Sequence, residues 1–169
     1  NDAVMLYFSA PTCNVCHALK PKLTEAIMDN FPTFVIESID ISETPENVGR
    51  AIINSIFGVV QYSTMLRNIP QEQLDVMRKW MKFASDHRET LLKSEFRPHH
   101  PELGYPVIEA ESDKELIIAV YQDNAVIDVP RRGKSVYILN ASGSDSIVVR
   151  CGKKTKTMKV PCGDWKSLN

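Results

Sequence analysis

The first 50 residues contain two apolar runs separated by a helical pattern. Residues 3–8 are continuously apolar, which is typical of a strand covered on both faces, and residues 33–40 form a second strand pattern. Between them, Leu19, Leu23 and Ile27 recur four residues apart and predict a helix that Pro21 interrupts. Because such crossovers normally join parallel strands, residues 1–49 are predicted to form a βαβ unit.

The pattern changes after residue 50. Residues 50–103 are predicted to be a helical segment, in which an apolar stripe marks one long helix over residues 71–96. Residues 104–169 are predicted to form an antiparallel, sandwich-like β domain, because short apolar runs alternate with tight turns. The predicted strands cover residues 107–110, 116–121, 125–129, 136–140, 147–150 and 155–160. The predicted fold class is therefore α/β, with a βαβ unit followed by helices and this sheet region.

Composition and charge narrow the functional classes. The chain has 169 residues, of which 43% are hydrophobic, and a net charge of −1, as in ordinary soluble globular proteins. A nucleic-acid partner is not expected without a basic excess, and no apolar run reaches the length of a membrane span. Residues 1–50 carry seven acidic and three basic side chains, a net charge of −4, so the remainder carries +3.

Two cysteines stand between the first strand and the first helix, in the sequence Cys13-Asn-Val-Cys16-His17. A cysteine at a helix N-terminus is exposed to main-chain N–H groups and to the positive end of the helix dipole, which stabilise the thiolate. Cys13 is therefore the candidate nucleophile. Cys16 lies about one helical turn further on and is the candidate resolving thiol, which would release a mixed disulfide formed on Cys13.

At these residues the segment resembles the thioredoxin family. Phe8-Ser-Ala10, Pro11-Thr-Cys13, Cys16 and Pro21 look like the active-site strand, the redox pair and the helix-kinking proline of that family, and residues 35–40 match its next strand. The resemblance implies exchange with a protein dithiol or disulfide, without a metal or cofactor. It also implies an unpaired edge on this half sheet, which a partner chain would complete.

The segment departs from the family at several positions. Thr12 replaces the usual tryptophan, Asn14-Val15 replaces the common Gly-Pro pair, and Tyr7 stands where many members have a buried aspartate. The closing hairpin and its cis-proline do not follow at the expected distance. Oxidoreductases of the DsbA type insert helices at this point, and residues 104–108 would then supply a cis-Pro106 for substrate binding, with residues 116–121 as the partner strand.

The cysteines also allow other interpretations. Cys13, Cys16 and His17 spell a c-type haem attachment sequence, although no second axial ligand is evident. A zinc site with Cys151 and Cys162 has unsuitable spacing, and two buried structural thiols are a further alternative. Cys151 and Cys162 are themselves predicted to be core thiols or a cross-strand pair.

A second resemblance covers residues 50–150. Several sequence blocks are similar, in order, to the C-terminal part of α-galactosidase-like enzymes of glycoside hydrolase family 36: residues 51–58, 61–63, 87–92, 96–102 and 105–111. The resemblance implies the last helix of a (β/α)8 barrel followed by its antiparallel sheet domain. A barrel needs about 200 residues, and only about 50 precede this part, so no complete glycosidase site is expected. The alternative function is a non-catalytic structural or interaction module.

The remaining polar motifs are interpreted structurally. Asp86, Glu89, Glu109 and Glu111 are predicted to be solvated rather than catalytic. His87, His99 and His100 are predicted to take part in packing or hydrogen bonding rather than metal binding. Asn140-Ala-Ser142 matches a glycosylation sequon. The whole chain is interpreted as composite, arising from a natural fusion, an engineered fusion or a mistaken assembly, with thiol–disulfide exchange as its expected function.

Overall fold

The N-terminal segment forms a strand, a helix and a second strand. The computed structural model describes residues 4–9, 14–30, 35–40, 44–58, 69–130 and 133–168. Strand β1 is Val4–Ser9, helix α1 is Asn14–Asn30 and strand β2 is Val35–Asp40. The two strands pair in parallel, with Val4 opposite Val35. The predicted parallel strand–helix–strand order is confirmed.

Helix α2, Pro45–Ser55, belongs to the C-terminal part of the fold. The Thr44 hydroxyl accepts a hydrogen bond from the Asn47 amide at 3.3 Å and caps the helix, while Pro45 occupies its first turn. The apolar face of α2, including Val48, packs in one core with residues of the C-terminal helices and sheet. The predicted boundary after residue 49 falls inside this helix.

The predicted helix over residues 71–96 is divided. It forms α3, Gln71–Asp86, and α4, Arg88–Lys93, and the chain then becomes strand β3, Glu95–His99. The backbone of His87 leaves helical geometry, and Ser94 is extended. Pro98 lacks the amide that a helix interior needs, but it is tolerated in an edge strand, where pairing with the next strand overrides helix propensity.

Ten strands lie within the described residues, and eight of them form two mixed sheets. The five-stranded sheet has the order β10-β7-β5-β4-β3, and the three-stranded sheet has the order β6-β8-β9. The strands after β3 are β4 Val107–Glu111, β5 Glu115–Val120, β6 Val126–Asp128, β7 Ser135–Asn140, β8 Ser146–Cys151, β9 Lys154–Lys159 and β10 Trp165–Leu168. All six predicted strands are confirmed.

The prediction of a purely antiparallel sheet region is wrong. Strands β5 and β7 are parallel, and so are β6 and β8, whereas the other neighbours in these sheets are antiparallel. The reason is that β6 lies in the second sheet, so the chain leaves the first sheet after β5 and returns to it in the same direction. Mixed α/β architecture is therefore the observed class.

The two sheets and the helices form three layers around the central strand β5. Ile117 and Ala119 pack in a cluster with helices α2, α3 and α4, whereas Leu116, Ile118 and Val120 pack in a cluster with β6 and β8. Both faces of β5 are thus buried, which explains its continuous apolar sequence. None of the helices described is long and apolar enough to cross a membrane.

Candidate functional site

The CxxC motif lies at the start of α1. This helix begins at Asn14, so Cys13 is the residue that directly precedes it in the chain, and Cys16 lies in its first turn. Cys13 lies outside the described residues, and only the backbone of Cys16 is described. Asn14 and His17 are exposed, so solvent reaches this turn. The first turn of any α-helix has main-chain N–H groups without intrahelical acceptors, which favour a nearby anion.

The other two cysteines are free thiols rather than a cross-strand disulfide. Cys151 ends β8, and Cys162 lies between β9 and β10; both are half-buried. The Cys162 thiol donates a hydrogen bond to the Ser142 carbonyl oxygen at 3.0 Å. Burial raises the pKa of the Cys162 thiol, although Arg50 acts in the opposite direction. The predicted cross-strand pair is therefore wrong, and Cys162 is a poorly ionised thiol.

Pro106 is buried at the start of β4, but it is not a cis-proline. The Tyr105–Pro106 peptide bond is trans, and the Pro106 carbonyl oxygen accepts a hydrogen bond from the Tyr121 amide at 2.9 Å. The chain reverses before it through Gly104 and Tyr105, both at positive φ, so the turn is made without a cis bond. The predicted cis geometry is wrong, whereas the predicted pairing of this strand with β5 is confirmed.

The structure brings a network of polar side chains to the start of α4. Glu115 is central: one carboxylate oxygen lies 3.0 Å from His87 Nδ1, and the other accepts the Thr90 hydroxyl at 2.8 Å. The Thr90 hydroxyl also lies 3.1 Å from the Ser112 hydroxyl. The His87 ring packs between aromatic rings, with its centroid 4.2 Å from that of Tyr137. These partners orient Glu115 and compensate its partial burial.

An open groove of about 570 Å³ borders this network. Its lining residues come from α4 and from the turn between β4 and β5 and are Glu89, Thr90, Lys93, Ser94 and 111–115. The Lys134 ammonium lies 2.8 Å from the Glu111 carboxylate and 2.6 Å from the Ser112 carbonyl oxygen, and Arg97 also pairs with Glu111. The Glu111 carboxylate is therefore neutralised by two cations, which suits a structural role better than acid–base catalysis.

The predicted acidic residues divide into two groups. Asp86 and Glu89 lie on exposed helix faces and pair with Lys82 and Lys93, as expected for solvated side chains. Glu109 and Glu111 are instead partly buried, Glu109 beside His99 and Glu111 in a cross-strand ion pair with Arg97, so the prediction that they are solvated is wrong. Their positions on β4 follow the period of the strand, but the pairing cations come from other segments.

Two of the three histidines are hydrogen-bonded, as predicted: His87 Nδ1 with Glu115, and His100 Nδ1 with Glu102 at 3.1 Å. His99 Nε2 lies 3.0 Å from the Glu109 carboxylate but makes no hydrogen bond with a described residue. In the portions of the chain that the structure describes, no three His, Cys, Asp or Glu side chains converge as a metal site would require. The His87–Glu115 contact was not predicted, because 28 residues of sequence separate its partners and no local motif connects them.

Comparison with known proteins identified no relative of this chain. A scan against protein-family models, a search of curated proteins and a search of solved structures each found no match. The thioredoxin and family 36 resemblances therefore rest on the residues that carry them.

Proposed function

We propose that the chain catalyses thiol–disulfide exchange through Cys13 and Cys16. The observation that supports this is the start of α1 at Asn14, directly after Cys13 in the chain. A thiol at a helix start is favoured as thiolate by the helix dipole and by main-chain N–H groups. The parallel pairing of β1 and β2 around this helix is the arrangement that the thioredoxin resemblance implies.

The reaction would proceed in two balanced exchanges. The Cys13 thiolate attacks one sulfur of a substrate disulfide, which forms a mixed disulfide and releases the first substrate thiolate. The Cys16 thiolate then attacks the Cys13 sulfur, which breaks the mixed disulfide, releases the second substrate thiolate and leaves a Cys13–Cys16 disulfide. An external dithiol returns this disulfide to two thiols. The substrate is a protein disulfide or, in the opposite direction, a protein dithiol.

A partner chain that completes the N-terminal sheet is part of the proposal. Among the described strands, β1 and β2 pair only with each other, and a two-stranded sheet is marginal on its own. Leu19 and Met28 on α1 are 48% and 66% exposed, so this helix presents apolar side chains that a partner would cover.

Reduction of insulin by dithiothreitol tests the catalytic proposal. The wild-type chain is expected to accelerate precipitation of the reduced insulin, and Cys13→Ser is expected to abolish the acceleration because the attacking sulfur is lost. Cys16→Ser is expected to accumulate a mixed disulfide, visible as a mass increase on a non-reducing gel, because release requires the second thiol.

The two C-terminal cysteines supply matched controls. Cys151→Ser and Cys162→Ser change the same atom in the same residue type, and neither should reduce the rate, since the Cys162 thiol is poorly ionised. Acceleration that persists in Cys13→Ser, or that is lost only in the control variants, would contradict the proposal.

A non-catalytic module is the second candidate, and the packing of residues 44–168 favours it. Their helices and two sheets share two apolar clusters across β5, and the Glu111 carboxylate on β4 is held in ion pairs with Arg97 and Lys134. Such a layer structure is suited to act as a scaffold, as the family 36 resemblance implies for this region. If neither the wild-type chain nor any variant accelerates insulin reduction, the non-catalytic module is the remaining candidate function.

A further inference from the structure

Strand β9 is an edge strand with an unusual sequence. It pairs with β8 and, among the described strands, with no other. Its sequence is Lys-Thr-Lys-Thr-Met-Lys, and every side chain except the half-buried Met158 is exposed. An edge strand leaves main-chain N–H and C=O groups without partners at alternate residues, and these groups can pair with another strand.

Four lysines crowd this edge without counter-charges. They are Lys153, Lys154, Lys156 and Lys159, all exposed, and none has an ion pair with a carboxylate of the described residues. The neighbouring cation on β8, Arg150, pairs with Asp128, which lowers the pKa of that carboxyl through a side-chain hydrogen bond. The lysines on β9 therefore repel one another, and an external anion would relieve this repulsion.

The register places two of the lysines on one side of the strand. Lys156 is opposite Val149, and Lys154 is opposite Cys151. The side chains of both lysines therefore lie on the same face of the sheet as Met158. Residues two apart on a strand are separated by about 7 Å, which is also the spacing of alternate side chains on an added strand. A strand with carboxylates at alternate positions matches this spacing.

We propose that β9 binds an extended acidic segment of a partner protein by strand addition. The free edge of β9 supplies main-chain hydrogen bonds, and alternate carboxylates of the partner pair with Lys154 and Lys156. The same lysines discriminate against other strands, because a second copy of β9 or a neutral strand would bring no counter-charge to the edge. This inference is independent of thiol exchange.

The chemistry of the surface favours a peptide over other polyanions. Nucleic-acid and sugar ligands are commonly held on aromatic stacking platforms, and strands β6, β8 and β9 contain no aromatic residue. A polysaccharide or nucleic acid would contact only the lysine ammonium groups, whereas an acidic strand would also form hydrogen bonds with the main-chain groups at the β9 edge. The two binding modes can therefore be separated by experiment.

Binding of a synthetic peptide to the full chain tests the proposal. The probe is a fluorescent peptide of about eight residues in which glutamate alternates with valine, measured by anisotropy at low salt. Lys154→Glu combined with Lys156→Glu is expected to weaken binding at least about tenfold, because attraction becomes repulsion. Lys22→Glu combined with Lys166→Glu makes the same change of net charge at exposed lysines elsewhere and is expected to leave affinity within about twofold.

A second probe separates strand addition from simple charge attraction. The same peptide with N-methylated amides on its pairing edge keeps its charge but loses its main-chain donors, and it is expected to bind at least about tenfold more weakly. Three results with these peptides would overturn the proposal: no binding of the first peptide, equal binding of the methylated peptide, or equal weakening by both charge-reversal pairs. Heparin that binds the wild-type chain as tightly as the peptide would also overturn it, in favour of a general polyanion surface.

Discussion

At the scale of single residues, Asn140 connects three segments of the C-terminal body. Its side chain is fully buried, and the amide nitrogen donates to the carbonyl oxygens of Ser144 at 2.6 Å and Val160 at 2.7 Å. The amide oxygen accepts from the main chain and the hydroxyl of Ser142. The sequon that begins at Asn140 is therefore a structural element, and attachment of a glycan would require this region to unfold.

The Asn140 amide makes a sharp test of this role. Asn140→Asp keeps the shape of the side chain but places carboxylate oxygen against two carbonyl oxygens, and it is expected to lower the free energy of unfolding by about 3 kcal/mol. Urea denaturation followed by circular dichroism measures the change. Asn124→Asp, at an exposed turn residue, should change the free energy of unfolding by less than about 0.5 kcal/mol. An equal loss of stability at both sites would contradict the structural role of the Asn140 hydrogen bonds.

The Cys162 thiol gives a prediction for pH dependence. Because burial raises its pKa, less thiolate is present at any given pH than for a free thiol near 8.5, so alkylation by iodoacetamide should be slow at pH 8 and should rise at higher pH than usual. The measurement uses a chain in which Cys162 is the single cysteine, folded and in urea. If the alkylation rate of the folded chain rises at the same pH as in urea, or at a lower pH, the raised pKa of Cys162 is contradicted.

At the scale of elements, α2 is fixed by direct contact between two backbones. Gly49 on α2 faces Gly163 in the loop before β10, and a Cβ on Gly49 would overlap the Gly163 carbonyl oxygen. The same carbonyl oxygen accepts a hydrogen bond from Trp80 Nε1 of α3 at 3.1 Å. Gly163 itself has φ +72°, so its backbone conformation also favours glycine. The two helices and this loop are thus joined around one peptide group.

Gly49→Ala tests this contact. Alanine has a higher helix propensity than glycine by about 1 kcal/mol, so an isolated helix would gain stability. In the protein the added methyl group must displace the Gly163 backbone, and a net loss of about 2 kcal/mol or more is expected in thermal or urea unfolding. Gly58→Ala is the control, since its Cβ would meet only the Ser55 carbonyl oxygen at 3.6 Å. If Gly49→Ala stabilises the protein instead, the Gly163 loop moves to accommodate the methyl group, and this contact does not fix α2.

The elements differ in how far local pattern predicts them. Five of the six strands over residues 107–160 were predictable because their apolar runs end at turn residues, and the polar strand β9 was predictable from the turn that precedes it; α1 was predictable from its four-residue period. Strand β3 was not predictable, because its first residues extend the apolar stripe of the preceding helices and no turn residue marks where the strand begins. Parallel pairing of β5 with β7 depends on a crossover through a second sheet, which no local signal encodes.

At the scale of the whole molecule, the candidate chemistry and the main core lie in different parts of the chain. The CxxC motif was predictable because its spacing and its place before a helix are local features, whereas the His87–Glu115 and Lys134–Glu111 pairs join residues 28 and 23 positions apart. Acidic residues predominate before residue 50, and unpaired lysines lie on β9 near the other end. The molecule thus presents a proposed redox site and a proposed acidic-strand site on separate elements.

The contact between Gly163 and Trp80 also bears on what loss of residues 163–168 would do. The loop that receives Trp80 and strand β10, which borders β7, both belong to this segment. Without it the Trp80 indole would lose its hydrogen-bond acceptor, and β7 would become an edge strand. Proteolytic removal of this segment should therefore mark the product for aggregation or degradation.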